Sequence, residues 1–228
     1  MKMNNTTALK MRDKGLLVLS LLVAAVLWFI MFSPWTAPQV NFWVCMTVSA
    51  IVLTSFAFVF GKGNFQLSSF RSGAGGTTFN FQLSDFLLGI AIAALLWGVF
   101  FVGDKVSQLI LPFAREQVNI IYNIKGNLSP TLLALLLLFL IGPAEEIFWR
   151  GYVQRTLSKY RSPFVAFLLT TACYTAVHLP SGNFMLIMAA LVCSICWGGL
   201  YCLMPQNLRA IIVSHALWDA AAFVWLPF

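Results

Sequence analysis

The segment TLLALLLLFLIGPAEEIFWR, residues 131–150, decides the fold of this protein. An apolar run ending at Ala144 leads directly into two carboxylates, Glu145 and Glu146, and Arg150 follows on the same predicted helix. A run of this length predicts a helix that spans a membrane, where an ionised side chain costs on the order of 3 kcal/mol. Carboxylates in such a position are therefore candidates for a functional site.

The composition of the 228-residue chain is that of a membrane protein. Apolar residues make up 60% of the sequence and charged residues only 9%, which is too little charge for a water-facing surface. Apolar stretches of spanning length run over seven ranges, namely Leu16 to Phe32, Val40 to Phe60, Phe86 to Val102, Leu128 to Trp149, Phe164 to His178, Phe184 to Met204 and Leu208 to Phe228. None alternates apolar with polar residues as barrel strands do, so we predict an all-α, polytopic membrane helical bundle.

The number of spanning helices depends on one further segment. Residues 106–124 are apolar but include Pro112, Arg115 and Glu116. They are predicted to form either an interfacial helix or an eighth, short membrane segment.

The chain divides into three regions by composition. Residues 1–84 contain two spans without intramembrane charge and end in a Gly-rich linker from Gly61 to Ser84. Residues 85–127 contain the third span and the segment of uncertain placement, and residues 128–228 contain the polar groups. We expect the chemistry to be confined to this last region.

The basic residues predict the orientation. Of the 14 basic residues, all but Lys105, Arg115 and Lys125 lie on the same side as the N-terminus, which the positive-inside rule places in the cytoplasm. Topology and contact with anionic membrane lipids account for these charges, so no nucleic-acid partner is expected. The size and simple N-terminus indicate an integral protein of a bacterial plasma membrane.

The spacing of Glu145 and His178 predicts that they meet. If the helix carrying Glu145 continues to Tyr160 and the next begins at Pro163, both residues lie about 22 Å from the turn, at 1.5 Å per residue on antiparallel neighbours. A carboxylate beside a histidine in a cavity of reduced dielectric can exchange protons with water and with a leaving amine. A slip of one helical turn would separate the two groups.

Residues four apart share a helix face, which predicts two more pairs. Glu146 and Arg150 are expected to form a structural ion pair, which leaves Glu145, rotated by about 100 degrees, free to react. His215 and Asp219 project together from the last helix. This second pair can stabilise an oxyanion, or it can join the other histidine and a glutamate as ligands of Zn²⁺ with one position open for water.

Three motifs appear in order inside apolar segments: EEIFWR from Glu145 to Arg150, YTAVH from Tyr174 to His178, and HALWD from His215 to Asp219. Together they resemble the family of CAAX prenyl protease type II and bacteriocin-processing membrane proteins. The resemblance implies an all-helical intramembrane endopeptidase. In that family the first Glu and first His, here Glu145 and His178, activate water, while His215 and Asp219 line the oxyanion site, with Glu146, Arg150 and Tyr174 in supporting positions.

Two positions depart from the family pattern. Tyr174 stands where Phe is usual and adds a hydroxyl near the site. Asp219 occupies a position that can be Asn, and an ionised Asp cannot donate a hydrogen bond to an oxyanion. The family has been described both as metalloproteases and as metal-free, glutamate-dependent enzymes, so a Zn²⁺ site made of Glu145, His178, His215 and Asp219 remains an alternative.

Two functions of different class fit these observations. The first is hydrolysis of a peptide bond in a membrane-associated peptide or protein substrate. The second is a non-catalytic immunity or assembly factor whose polar cluster holds the helices together. Activity of a Glu145→Gln protein discriminates them. If the chain is bacterial, prenylated substrates are not expected.

Overall fold

The structure, a computed structural model, describes residues 5–61, 65–66, 77–78 and 80–228. Helices form nearly all of the described part: α1 (Asn5–Phe32), α2 (Phe42–Phe60), α3 (Leu83–Ile110), α4 (Ala114–Asn123), α5 (Pro130–Ser158), α6 (Pro163–Ala176), α7 (Phe184–Leu203) and α8 (Leu208–Ala220). Two short strands, β1 (Phe65–Gln66) and β2 (Thr77–Thr78), pair in parallel between α2 and α3. The Gly-rich part of the predicted linker, residues 67–76, lies outside the described residues. The all-α prediction is confirmed.

Seven of these helical segments are long and apolar enough to cross a membrane, as the sequence predicted. The segment 106–124 is divided, because Val106 to Ile110 complete α3 while α4 is a separate helix of 10 residues. A helix of that length rises about 15 Å, half of the hydrocarbon thickness, so α4 does not span. Large apolar side chains such as Val26, Leu95 and Phe139 are exposed on the outer faces, as contact with lipid requires.

The hairpin of α5 and α6 follows the predicted turn. Ser162 caps α6, because its hydroxyl accepts a hydrogen bond from the Val165 N–H at 3.3 Å, and Pro163 takes the first helical position, where no N–H is needed. Helix α5 ends at Ser158, two residues before the predicted Tyr160. The antiparallel neighbours that place the glutamates beside α6 are therefore present.

Helix α5 is irregular around the two glutamates. An α-helical turn, Gly142–Glu146, lies between two π-helical segments, Leu137–Ile141 and Ile147–Gln154. Such segments are rare and occur frequently at functional sites, because the wider turn changes the direction in which side chains project. The sequence did not predict this irregularity.

Helix α8 is the central helix of the bundle and packs against α3, α5 and α7. Its approach to α5 is closest at Gly142, where an added Cβ would lie only 2.8 Å from the Cα of Ala216. Small residues at helix interfaces allow such contact in membranes. Because Ala216 follows His215, this contact brings the α8 histidine against the glutamates of α5.

Candidate active site

Glu146 forms the centre of a fully buried charged network. Its Oε1 accepts a hydrogen bond from Arg150 Nη1 at 2.8 Å, so the predicted ion pair is present. The same oxygen lies 2.6 Å from Nδ1 of His215, a contact the sequence did not predict. Arg150 also donates from Nη2 to the Ser194 hydroxyl on α7 at 3.3 Å. One carboxylate therefore joins α5, α7 and α8.

The imidazole of His215 is held on three sides. Its Nδ1 faces Glu146, and its Nε2 lies 3.5 Å from Oδ2 of Asp219, the predicted partner one turn further along α8. The indole of Trp197 stacks on the ring, with centroids 3.8 Å apart and planes 17° from parallel. Trp197 is itself fixed by a 3.1 Å hydrogen bond to Ser214. These contacts determine both the position and the direction of the ring.

Glu145 meets Tyr174 instead of the predicted His178. The Tyr174 hydroxyl donates to Oε2 of Glu145 at 2.9 Å, and Tyr174 lies one helical turn before His178 on α6. The other oxygen, Oε1, makes no hydrogen bond with the described residues. The two glutamates also differ in access, since Glu145 is 9% exposed and Glu146 is 0% exposed.

His178 lies just beyond the C-terminal end of α6, in the turn before the 3₁₀ segment Leu179–Ser181. Gly182 then reverses the chain in a left-handed conformation with φ of 59°, which glycine adopts without strain. Nδ1 of His178 lies 2.8 Å from the backbone oxygen of Tyr174, and Nε2 accepts a hydrogen bond from the indole N–H of Trp28 at 3.3 Å. Tyr174 therefore contacts both predicted catalytic residues, Glu145 through its hydroxyl and His178 through its carbonyl.

A cavity of about 690 Å³ opens next to His178. Phe32 and Ser181 are in its wall, and both touch His178, Phe32 with ring centroids 5.4 Å apart and Ser181 through a 2.7 Å hydrogen bond to its backbone oxygen. The remaining wall is mainly apolar and includes Met31, Phe42, Ile120, Ile124 and Leu186. The cavity can accommodate an apolar molecule or chain segment beside the cluster.

The structure brings the predicted site residues into one contiguous cluster. The two halves meet where the Arg150 guanidinium lies 5.0 Å from the Tyr174 ring centroid. Sequence reasoning missed Trp28, Ser194 and Trp197. Trp28 is 150 positions from its partner and lies in a span without charge, so no sequence signal marked it.

The arrangement was tested against a bound Zn²⁺, which would need three or more protein ligands converging on one point. In the described ranges, no group of three or more His, Cys, Asp or Glu side chains could hold a metal ion. The two nitrogens of His215 face two different carboxylates, and Nδ1 of His178 is bonded to a backbone oxygen. As arranged, Glu145, His178, His215 and Asp219 do not fit a metal ion, and no metal-dependent step follows from this geometry.

Residues 127–221 match the family described as type II CAAX prenyl endopeptidase, Rce1-like. The match includes all three motifs from Glu145 to Asp219 and leaves helices α1 to α4 outside it. Comparisons with curated proteins and with solved structures gave no match. The part of the chain that carries the cluster, residues 127–221, is thus similar to the Rce1-like family of type II CAAX prenyl endopeptidases, as the three motifs predicted.

Proposed function

We propose that this protein is an intramembrane endopeptidase that hydrolyses a peptide bond of a membrane-associated peptide or protein, with water activated at Glu145 and His178. The family assignment supports a CAAX-type membrane protease at the level of the family. The chemistry at individual residues is inferred from their contacts.

The contacts of Glu145 are the main support for this proposal. Among the carboxylates of the cluster, Glu146 is paired with Arg150 and His215, and Asp219 lies next to His215. Glu145 forms no ion pair with the described residues, and its hydrogen-bond partner is the neutral hydroxyl of Tyr174. With one oxygen fixed and the other without a partner, this carboxylate is oriented and still able to accept a proton from water.

The reaction then follows as general acid and base catalysis. Oε1 of Glu145 accepts a proton from a water molecule, and the resulting hydroxide attacks the carbonyl carbon of the scissile bond. When the C–N bond breaks, the protonated Glu145 returns the proton to the leaving amine. Nε2 of His178, the nitrogen that carries the lone pair, accepts a hydrogen bond from the same water and takes the second proton of that water when the new carboxylic acid ionises.

We assign the oxyanion to the side of the cluster formed by His215 and Asp219. Both residues are buried and fixed, His215 by Glu146 and Trp197. Donors that are fixed before the reaction stabilise the developing negative charge without reorganisation. His215 would donate through Nε2, the nitrogen that faces Asp219 at 3.5 Å, and this requires the doubly protonated imidazolium, because its Nδ1–H is already donated to Glu146.

We assign the substrate to the cavity next to His178. Its apolar wall suits the side chains of a membrane-associated peptide, and a volume of about 690 Å³ is within the usual range for ligand sites. A segment seated there would lie against Phe32 and Ser181, the two wall residues that contact His178.

The proposal is tested with the purified protein in liposomes. Two fluorogenic peptides with the same C-terminal CAAX sequence, one prenylated and one not, serve as substrates. We expect the wild type to cleave at least one peptide, and Glu145→Gln and His178→Ala to cleave it about 10² to 10⁴ times more slowly, because each lacks a proton-transfer group. Membrane insertion should be unchanged.

Asp104→Asn is the matched control, because it makes the same kind of change at a buried carboxylate that pairs with Arg115 outside the cluster. It should cleave at the wild-type rate. Wild-type turnover by Glu145→Gln contradicts the proposed mechanism. If the wild type itself cleaves neither peptide, the immunity or assembly factor becomes the better interpretation.

A further inference from the structure

Helix α1 lies outside the family match, yet it contacts His178 directly. The indole N–H of Trp28 donates to Nε2 of His178 at 3.3 Å, and the two rings lie edge to face with centroids 6.2 Å apart. Both side chains are buried, Trp28 at 1% and His178 at 7% exposure. The contact is therefore shielded from water.

The position of the proton on the His178 ring determines which nitrogen can accept a hydrogen bond from Trp28. Nδ1 of His178 lies 2.8 Å from the backbone oxygen of Tyr174, and a carbonyl oxygen can only accept. Nδ1 therefore carries the proton, which leaves Nε2 with the single lone pair of the neutral ring. An indole nitrogen is a donor only, so Trp28 occupies that lone pair.

A proton on Nε2 would place two N–H donors face to face. His178 therefore cannot accept a proton, or bond a water through Nε2, while the Trp28 contact is intact. Its basic nitrogen becomes available only when the indole moves away.

We propose that the hydrogen bond from Trp28 to His178 is an autoinhibitory contact that substrate binding releases. This inference rests on the proposed function, since it concerns the regulation of the same site. Phe32 follows Trp28 by one turn of α1, contacts His178 and forms part of the cavity wall together with Met31. A peptide seated in the cavity presses on the turn of α1 that adjoins Trp28. Occupancy of the cavity and exposure of the Nε2 lone pair are thereby coupled.

The first test is the turnover of Trp28→Phe, which keeps an aromatic ring but removes the N–H donor. Because this hydrogen bond stabilises the resting state alone and is already broken once substrate is bound, kcat/KM should rise by about threefold to tenfold while kcat stays near the wild-type value. Trp97→Phe is the matched control, since Trp97 on α3 donates its indole hydrogen bond to the Leu226 carbonyl and its ring partners are Phe101 and Phe228, none of which belongs to the cluster. That variant should turn over like the wild type.

A fall in kcat/KM of Trp28→Phe, or a kcat/KM equal to that of Trp97→Phe, overturns the proposal. The rise is also a result that loss of a merely structural contact would not produce, since such a loss lowers activity.

The second test is the nitrogen NMR spectrum of the two histidines, which needs no activity. The chain contains only His178 and His215, so the signals can be assigned with a His215→Gln variant. In the wild type, His178 should show a protonated Nδ1 and an unprotonated, hydrogen-bonded Nε2. In Trp28→Phe the Nε2 signal should shift as the donor is lost while the Nδ1 signal stays in place.

A proton on Nε2 in the wild type contradicts the proposed hydrogen bond from Trp28, and this result does not depend on whether the Trp28 variants fold. An Nε2 signal that does not respond to Trp28→Phe overturns it as well. These spectra separate the two proposals, because loss of the donor is detected whether or not Glu145 proves to be catalytic.

Discussion

Glu145 and Glu146 are neighbours in the chain but occupy two different environments. Glu146 has no exposed surface, and its carboxylate accepts hydrogen bonds from Arg150 and His215. Glu145 is 9% exposed, and its hydrogen-bond partner among the described residues is the phenol of Tyr174. A rotation of about 100 degrees between successive residues of a helix is enough to separate a structural carboxylate from a reactive one.

These two environments allow the cluster to be both stable and reactive. A carboxylate that is fully buried in a membrane protein is stabilised by an opposite charge, and a carboxylate paired in this way is a poor proton acceptor. The charged half, Glu146 with Arg150 and His215, joins three helices and holds the site together. The other half, Glu145 with Tyr174 and His178, contains no ion pair among the described residues, and we place the chemistry there.

Removing the counter-charge of Glu146 should give the largest change in folding. Arg150→Ala leaves a fully buried carboxylate with one fewer partner, and breaking a buried pair costs about 3 to 5 kcal/mol. We expect a clear fall in folded protein and in the thermal unfolding temperature in detergent. Arg115→Ala, which breaks the more exposed pair with Asp104, should cost at most about 1 kcal/mol. Equal stability of the two variants would contradict the structural role of Arg150.

Tyr174→Phe should have a smaller effect, confined to the half of the cluster formed by Glu145, Tyr174 and His178. It removes the hydroxyl that holds Glu145 but keeps the ring that lies against Arg150 and His178. Loss of a hydrogen bond of about 1.5 kcal/mol predicts a decrease in kcat of roughly tenfold, with thermal stability near that of the wild type. Phe is usual in the family at this position, so the reaction should survive. A variant as inactive as Glu145→Gln would show that the hydroxyl takes part in the chemistry.

Much of this arrangement could be predicted from the sequence. The apolar lengths gave all seven spans, and the i, i+4 spacing gave the pairs of Glu146 with Arg150 and of His215 with Asp219. Spacing alone could not give the partner of Glu145. It is Tyr174, one turn from the predicted His178, because α5 contains π-helical segments and α6 ends at Ala176.

Contacts between helices that are distant in the sequence could not be predicted, for a different reason. Trp28 and Trp197 lie in apolar runs where any large residue would be expected, and nothing in their spacing marks them. Their roles follow only from which helices pack together. The stacking of Trp197 on His215 depends on the packing of α7 against α8, which no local pattern encodes.

Asp219→Asn should have the smallest effect on turnover, and it decides between the two chemistries considered for this site. Asp219 lies 3.5 Å from His215 on the side assigned to the oxyanion, where an amide can donate without first gaining a proton. We therefore expect kcat/KM to be preserved or raised, by less than about tenfold.

On the alternative, in which Asp219 helps to bind Zn²⁺, the same change removes a ligand and weakens metal binding sharply. Turnover should be measured together with the metal content of purified wild type and variant. Stoichiometric zinc in the wild type, lost together with activity in the variant, would overturn the metal-free reaction. It would also mean that the side chains rearrange around the ion, because their present positions do not fit a metal ion.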